Sequence, residues 1–196
     1  MIQAIIDRRS IRKYKPDPIP KTIIEDMIKA GMLAPSSKNR QPWKFIVATG
    51  NAKDAALEAM QRGLQREKDA PFLPESAKYL NGAENTLRIM RQAPVIIFVV
   101  NPLGINFHRT LTVEERIYEL CNAQSVGAAI ENMALTATER GLGCLWICDT
   151  YFAYKELSDW LATDGELLAA MAVGYADEAP SARPRNNIND VVEWKE

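Results

Sequence analysis

The 196-residue sequence contains a single histidine, His108. One imidazole leaves too little material for a histidine-based zinc site or a Ser-His-Asp triad, so no metal is expected. The three cysteines, Cys121, Cys144 and Cys148, are odd in number. If Leu142 to Asp149 is a strand, Cys144 and Cys148 lie about 13 Å apart at ~3.3 Å per residue, beyond the reach of a disulfide. An excess of one charge is missing too: 24 Lys and Arg oppose 25 Asp and Glu, a formal net charge of -1. No global field draws such a protein to nucleic acid or anionic lipid, so neither is expected as a partner and the basic residues act locally. The longest apolar runs, such as Ala93 to Val100, fall short of the roughly 20 residues a helical membrane span takes. Asp7, Arg8 and Arg9 directly follow a brief apolar segment, with no long apolar core and small-residue cleavage site, so no signal peptide is expected and the cytoplasm is the default. No internal repeat occurs, and no glycine fingerprint opens a helix after a strand, which argues against a doubly wound dinucleotide fold.

With 47% hydrophobic and 25% charged residues the chain reads as one domain, residues 1–196, with a proper core. Periodicity predicts helices over Ile2–Arg8, Pro20–Met32, Ala52–Arg66, Ala77–Gln92, Glu114–Arg140 and Ala153–Leu161. Strands are predicted over Trp43–Ala48, Pro94–Val100, Leu142–Ile147 and Leu167–Tyr175, with Gly50-Asn51 ending the first. The unalternating apolar run Pro94 to Val100 implies a sheet covered on both faces. The helix from Glu114 reads as apolar nearly all round and therefore buried, and the tail from Ala176 as polar and extended. This order, helices mixed with about four strands, fits an α+β sandwich.

Polar chemistry concentrates in three places. Arg8, Ser10 and Arg12, in the run Arg8-Arg9-Ser10-Ile11-Arg12, alternate so that an extended backbone sends their side chains to one face, where one anion could meet them all. Guanidinium forks suit phosphate, and a serine hydroxyl adds a further bond. The stretch Pro35-Ser36-Ser37-Lys38-Asn39-Arg40-Gln41-Pro42-Trp43 places amides, hydroxyls and exposed backbone where a planar heterocycle with its own donors and acceptors could be held. Arg183-Pro184-Arg185 repeats the alternate arginine spacing on a proline-stiffened segment, which taken alone is a charged tail.

Together with Gly141-Leu142-Gly143 before a strand, these motifs, in order and spacing, resemble the FMN-dependent nitroreductase family over nearly the whole chain. The resemblance implies a central, mostly antiparallel sheet flanked by helices, in an intertwined homodimer with FMN in a groove at the interface. It implies that Arg8, Ser10, Arg183 and Arg185, beside Arg9, grip the FMN phosphate, while Arg12 approaches the pyrimidine edge of the ring. Pro35, Ser36, Ser37 and Asn39 would come from the other subunit. Asn85 and Arg88 align with positions that bond the flavin's polar edge. Trp146, Ile147, Cys148 and Asp149 match the strand end where the family sets backbone donors beside flavin N5, although the Pro-x-Glu-Gly sequence of many relatives is absent. On its own terms Cys148 reads as a buried strand cysteine acting as a small hydrophobe. The implied activity is hydride transfer from NADH or NADPH through the flavin to a flat, electron-poor acceptor such as a nitroaromatic or quinone. No catalytic side chain is required. A different flavin reaction, such as reductive dehalogenation or flavin breakdown, and a non-catalytic FMN-binding sensor are the alternatives. Phe107, Tyr118 and Phe152 could close over the flavin as a lid, although aromatic residues more often simply pack.

Overall fold

The computed structural model describes residues 1–196. Four strands, β1 (Lys44–Ala48), β2 (Val95–Asn101), β3 (Gly143–Ile147) and β4 (Glu166–Gly174), form one sheet in the order β1-β2-β4-β3, every neighbouring pair antiparallel. Seven helices surround it: α1 (Gln3–Asp7), α2 (Lys21–Met32), α3 (Gly50–Asp69), α4 (Leu80–Gln92), α5 (Val113–Glu139), α6 (Tyr154–Leu161) and α7 (Ile188–Val191).

Strand β2 is buried along its whole length because both faces are covered. Ile96, Phe98 and Val100 enter a core with Met60 and Leu64 of α3, Leu87 and Met90 of α4 and Leu157 of α6. Val95, Ile97 and Val99 enter a second core with Ile24 and Met27 of α2 and Ile130 and Met133 of α5. Phe98 is fully buried at the centre of the sheet, where truncation to alanine costs about 3–5 kcal/mol. The two layers thus follow from a period-two strand whose side chains are apolar on both faces.

Helix α5 begins at a capping box, in which the Glu115 N–H donates to Thr112 Oγ1 at 3.2 Å and the Thr112 N–H donates to Glu115 Oε2 at 2.9 Å. Its C-terminal part is buried at Val126, Ile130, Met133 and Ala137, and α2 lies so close that a Cβ on Gly31 would meet Met133 Cγ at 2.9 Å. Its N-terminal part departs from the expected all-round burial. Val113, Ile117 and Leu120 are 72%, 52% and 58% exposed, since nothing in the same chain reaches them. Two further differences are local. Helix α3 starts at Gly50, which takes φ +50 in turning out of β1, and residues 74–79 form a 3-10 segment before α4. The tail carries a short helix, α7, capped by Asn187 Oδ1 on the Asn189 N–H, and every residue from Ser181 onward is exposed.

The functional region depends on how the two chain ends meet. Beyond α1 the chain runs extended beside the sheet edge, with the Ile11 N–H donating to the Cys144 carbonyl at 3.0 Å. It then pairs with the segment following β4, through Lys15 N–H to the Tyr175 carbonyl and Asp177 N–H to the Lys13 carbonyl, both at 2.9 Å. The buried Tyr14 hydroxyl donates toward the carbonyls of Ile11 and Ala172. Gly143 makes the approach possible, because a Cβ there would lie 2.6 Å from Ile11 Cγ1. Gly143→Ala should therefore lower the thermal midpoint by the several degrees that an overpacking cost of about 1–3 kcal/mol implies, measured by calorimetry.

Candidate cofactor-binding site

The paired chain ends build one cleft of about 240 Å³ lined by Arg8, Arg9, Ser10, Arg12, Arg183 and Arg185, with Ile5, Ile6 and residues 180–182 completing the wall. Five guanidinium groups converge and no carboxylate belongs to the lining. Most of their donors are spent weakly or locally. Arg12 Nη1 donates to the Ser10 carbonyl at 3.0 Å, and Arg185 Nη1 reaches the Arg183 and Pro184 carbonyls at 3.3 Å. Arg9 Nη1 turns back to the Ile6 and Arg8 carbonyls at 2.6 and 2.8 Å. Two carboxylates stand beside the set: Glu131 of α5, whose Oε1 lies 3.2 Å from Arg8 Nε without hydrogen-bond geometry, and Glu178, which accepts the Arg12 backbone N–H. Such a set repels itself unless an anion enters, and a phosphate supplies both the charge and the acceptor oxygens. The residues therefore fit the phosphate end of FMN.

Strand β3 sets the scale of the rest. It passes beside Ser10 at Cys144 and ends at Ile147, with Cys148 and Asp149 beyond it. Trp146 lies 42% exposed on the edge strand, where its ring approaches Gly127 of α5, and Ile147 is buried beneath the sheet. Cys148 corrects the sequence expectation: it is exposed and off the strand, because the chain turns there into a 3-10 segment over Asp149–Ala153. Partial burial and the adjacent Asp149 carboxylate push its thiol up, so it is not an activated nucleophile. Cys144, buried against the sheet, is pushed up to about 12 by desolvation. Asp149 itself accepts a hydrogen bond from the Thr86 hydroxyl of α4.

The second stretch stands elsewhere within one chain. Pro35, Ser36, Ser37 and Asn39 follow α2 and rest on α5, with the Ser37 N–H 3.4 Å from Ser125 Oγ and Arg40 stacked 4.3 Å above the Tyr118 ring. Lys38, Asn39 and Gln41 all take positive φ, near +50, which bulky residues adopt only when surroundings hold them there. None of these loop residues lines the arginine cleft of its own chain. Asn85 and Arg88 are exposed on α4, and Arg88 lines a separate groove with Gln61, Gln65, Lys68, Glu84 and Arg91.

The structure also gathers Phe107, named above as a lid candidate, with aromatic residues that the motifs did not mark. Phe72, Phe107, His108, Tyr151 and Tyr154 form an aromatic set, with Phe107 centred 5.6 Å from Tyr151 and 5.4 Å from Tyr154, and His108 5.1 Å from Phe72. Of the three aromatic residues expected as a lid, Phe107 joins this set, Tyr118 lies under Arg40, and Phe152 is buried in the core. The contributing residues lie far apart in sequence, so no local pattern announces the cluster. No helix is long and apolar enough to cross a membrane.

The sequence profile of the Nitroreductase family matches residues 5–175. The chain belongs to that family and is an oxidoreductase. YfhC of Bacillus subtilis (strain 168), assigned as an NAD(P)H nitroreductase, is 30% identical over 188 residues, spanning 95% of this chain and 89% of that protein. Nitrobenzene nitroreductase of Ectopseudomonas oleovorans is 28% identical over 214 residues, spanning 94% and 89%. Among solved structures, a BluB-like flavoprotein from Clostridium difficile 630 superposes with a TM-score of 0.81 at 25% identity, covering 99% of this chain and 98% of that one. A Desulfovibrio desulfuricans protein described as a nitroreductase, solved in complex with FMN, gives 0.72 at 25% identity, covering 100% and 96%.

Thiol reactivity checks the local geometry. In native protein at neutral pH, iodoacetamide should label Cys148 while leaving Cys144 untouched, as read by peptide mass spectrometry.

Proposed function

We propose that the protein is an FMN-dependent oxidoreductase that acts as a homodimer and passes hydride from NADH or NADPH to a flat, electron-poor acceptor of nitroaromatic or quinone type. The observation that carries this reading is the convergence of Arg8, Ser10 and Arg12 with Arg183 and Arg185, from opposite ends of the chain, in one cleft whose lining holds no carboxylate. The FMN in the Desulfovibrio structure and the nitroreductase names of the relatives support it. FMN, when bound, supplies the hydride transfer itself.

The chain's own residues bind and orient. Arg8, Ser10, Arg183 and Arg185 hold the phosphate, and Arg9 buttresses the turn through its carbonyl contacts. Arg12, on the same face, favours negative charge at the pyrimidine edge of the ring. The exposed Trp146 ring offers an apolar surface along β3, and the backbone at Cys148 and Asp149 lies where the reacting end of the ring would reach. Pro35, Ser36, Ser37 and Asn39 serve the site of the second subunit, which accounts for their distance from their own cleft. The exposed apolar face of α5 at Val113, Ile117 and Leu120 is the surface on which the two copies meet.

Two experiments test this reading. The purified protein should carry the visible absorption of oxidised flavin, and Arg8→Ala with Arg185→Ala should weaken FMN binding by at least about a hundredfold, since charged contacts contribute about 1.5–3 kcal/mol each. Unchanged occupancy would overturn the phosphate assignment. Rapid bleaching on stopped-flow mixing with NADH or NADPH supports the enzyme, and an inert flavin supports a sensor. Separately, Ile117→Glu with Leu120→Glu should convert a dimer to a monomer by size-exclusion with light scattering and release FMN. A dimer that survives both charges places the interface elsewhere.

A further inference from the structure

Arg8 is the one cleft arginine that forms a salt bridge, its Nε standing 3.2 Å from Oε1 of Glu131 on α5. Arg9, Arg12 and Arg185 donate to backbone carbonyls instead. Glu178, the second carboxylate nearby, accepts a backbone N–H and not a guanidinium.

The backbone fixes where this pair can meet. Glu131 is flanked on α5 by Ile130 and Met133, both fully buried in the core, and the next residue, Asn132, donates through Nδ2 to the Ala30 carbonyl of α2 at 3.1 Å. Arg8 closes α1 with its N–H on the Ala4 carbonyl at 2.9 Å, two residues before Ser10 pairs with Cys144 of β3. The side chains of Arg8 and Glu131 are 25% and 44% exposed, so their attraction is only partly screened.

Donor geometry divides the Arg8 guanidinium into two edges. Nε is buried without a hydrogen-bond partner, and Glu131 supplies the carboxylate oxygen in ion-pair range of it. A guanidinium carries five N–H donors in a fixed fork, so a carboxylate on the Nε side leaves the Nη edge for a second anion. Arg8 lines the cleft and Glu131 does not. The carboxylate is therefore an anion beside the site. Before a phosphate arrives, it offsets part of the repulsion among the converging guanidinium groups. A phosphate that enters then meets a like charge one guanidinium away.

We propose that Glu131 is a positioning residue that acts through Arg8 as the internal counter-anion of this cleft, stabilising the unloaded cleft and limiting how tightly the phosphate is held. The identity of that phosphate as part of FMN rests on the oxidoreductase reading; the Arg8–Glu131 pair stands without it.

Glu131→Gln isolates the charge, because the amide keeps an oxygen for the Nε–H in nearly the same shape. In flavin-stripped protein its Kd for FMN, read by quenching of flavin fluorescence, should fall about three- to tenfold, since a pair this exposed couples modestly and a phosphate carries up to about two charges. Inorganic phosphate, read by the thermal midpoint shift it produces, should tighten likewise. Riboflavin, which has the ring and no phosphate, should bind both proteins equally. Without ligand, Glu131→Gln should unfold a few degrees below the wild type. In an Arg8→Ala background the same substitution should change FMN binding by less than about twofold. Glu131→Ala reads the same charge should the glutamine variant not fold. Unchanged or weaker binding of FMN and phosphate in Glu131→Gln overturns the proposal, as does a riboflavin affinity that rises by the same factor, or an effect that persists in full without Arg8. Should the wild-type protein bind phosphate but no FMN, the flavin reading fails while the phosphate measurement still decides the role of Glu131.

Discussion

The backbone pairing of Arg8–Lys15 with the edge of β3 and with the segment after β4 is the constraint on which the rest depends. One N–H, from Ile11 to the Cys144 carbonyl, and the exchange between Lys13, Lys15, Tyr175 and Asp177 close the chain on itself. The arginines at both ends then share a cleft that neither end forms alone. Gly143 permits this seam by having no side chain where Ile11 packs, and Tyr14 fastens it from beneath with its buried hydroxyl. Binding chemistry here is a by-product of sheet completion.

That arrangement explains how a nearly neutral protein presents a strongly basic site. Net charge sets long-range attraction, but local potential follows from which charges are brought together and what is excluded from among them. Acids are plentiful elsewhere on the surface, pairing with Lys21, Lys68, Arg109 and Lys155, and are kept out of the cleft lining.

Helix α5 links these regions to assembly. Its buried half packs on α2 and the sheet, whereas its first turns expose Val113, Ile117 and Leu120. An apolar helix that a single chain leaves partly bare has its remaining surface available to another copy. The serine and asparagine loop rests on the same helix, six residues from the point where Glu131 meets Arg8, so the helix spaces one chain's loop from that chain's cleft.

Much of this was legible beforehand because it is local. Period-two and helical apolar spacing located the four strands and the main helices, and the alternate placement of Arg8, Ser10 and Arg12 foretold a shared face. What failed was whatever depended on neighbours distant in the chain: the exposure of Cys148, set by where β3 turns away, and the bare start of α5. The aromatic set draws residues from several elements, and a lone phenylalanine carries no mark of its future partners. Residue type and spacing by themselves determined the layers and the alternate basic spacing at each chain end, since both are properties of contiguous segments. Only the tertiary structure decided which charges meet, which go unpaired and which apolar faces stay open, because those depend on distances that backbone pairing alone sets.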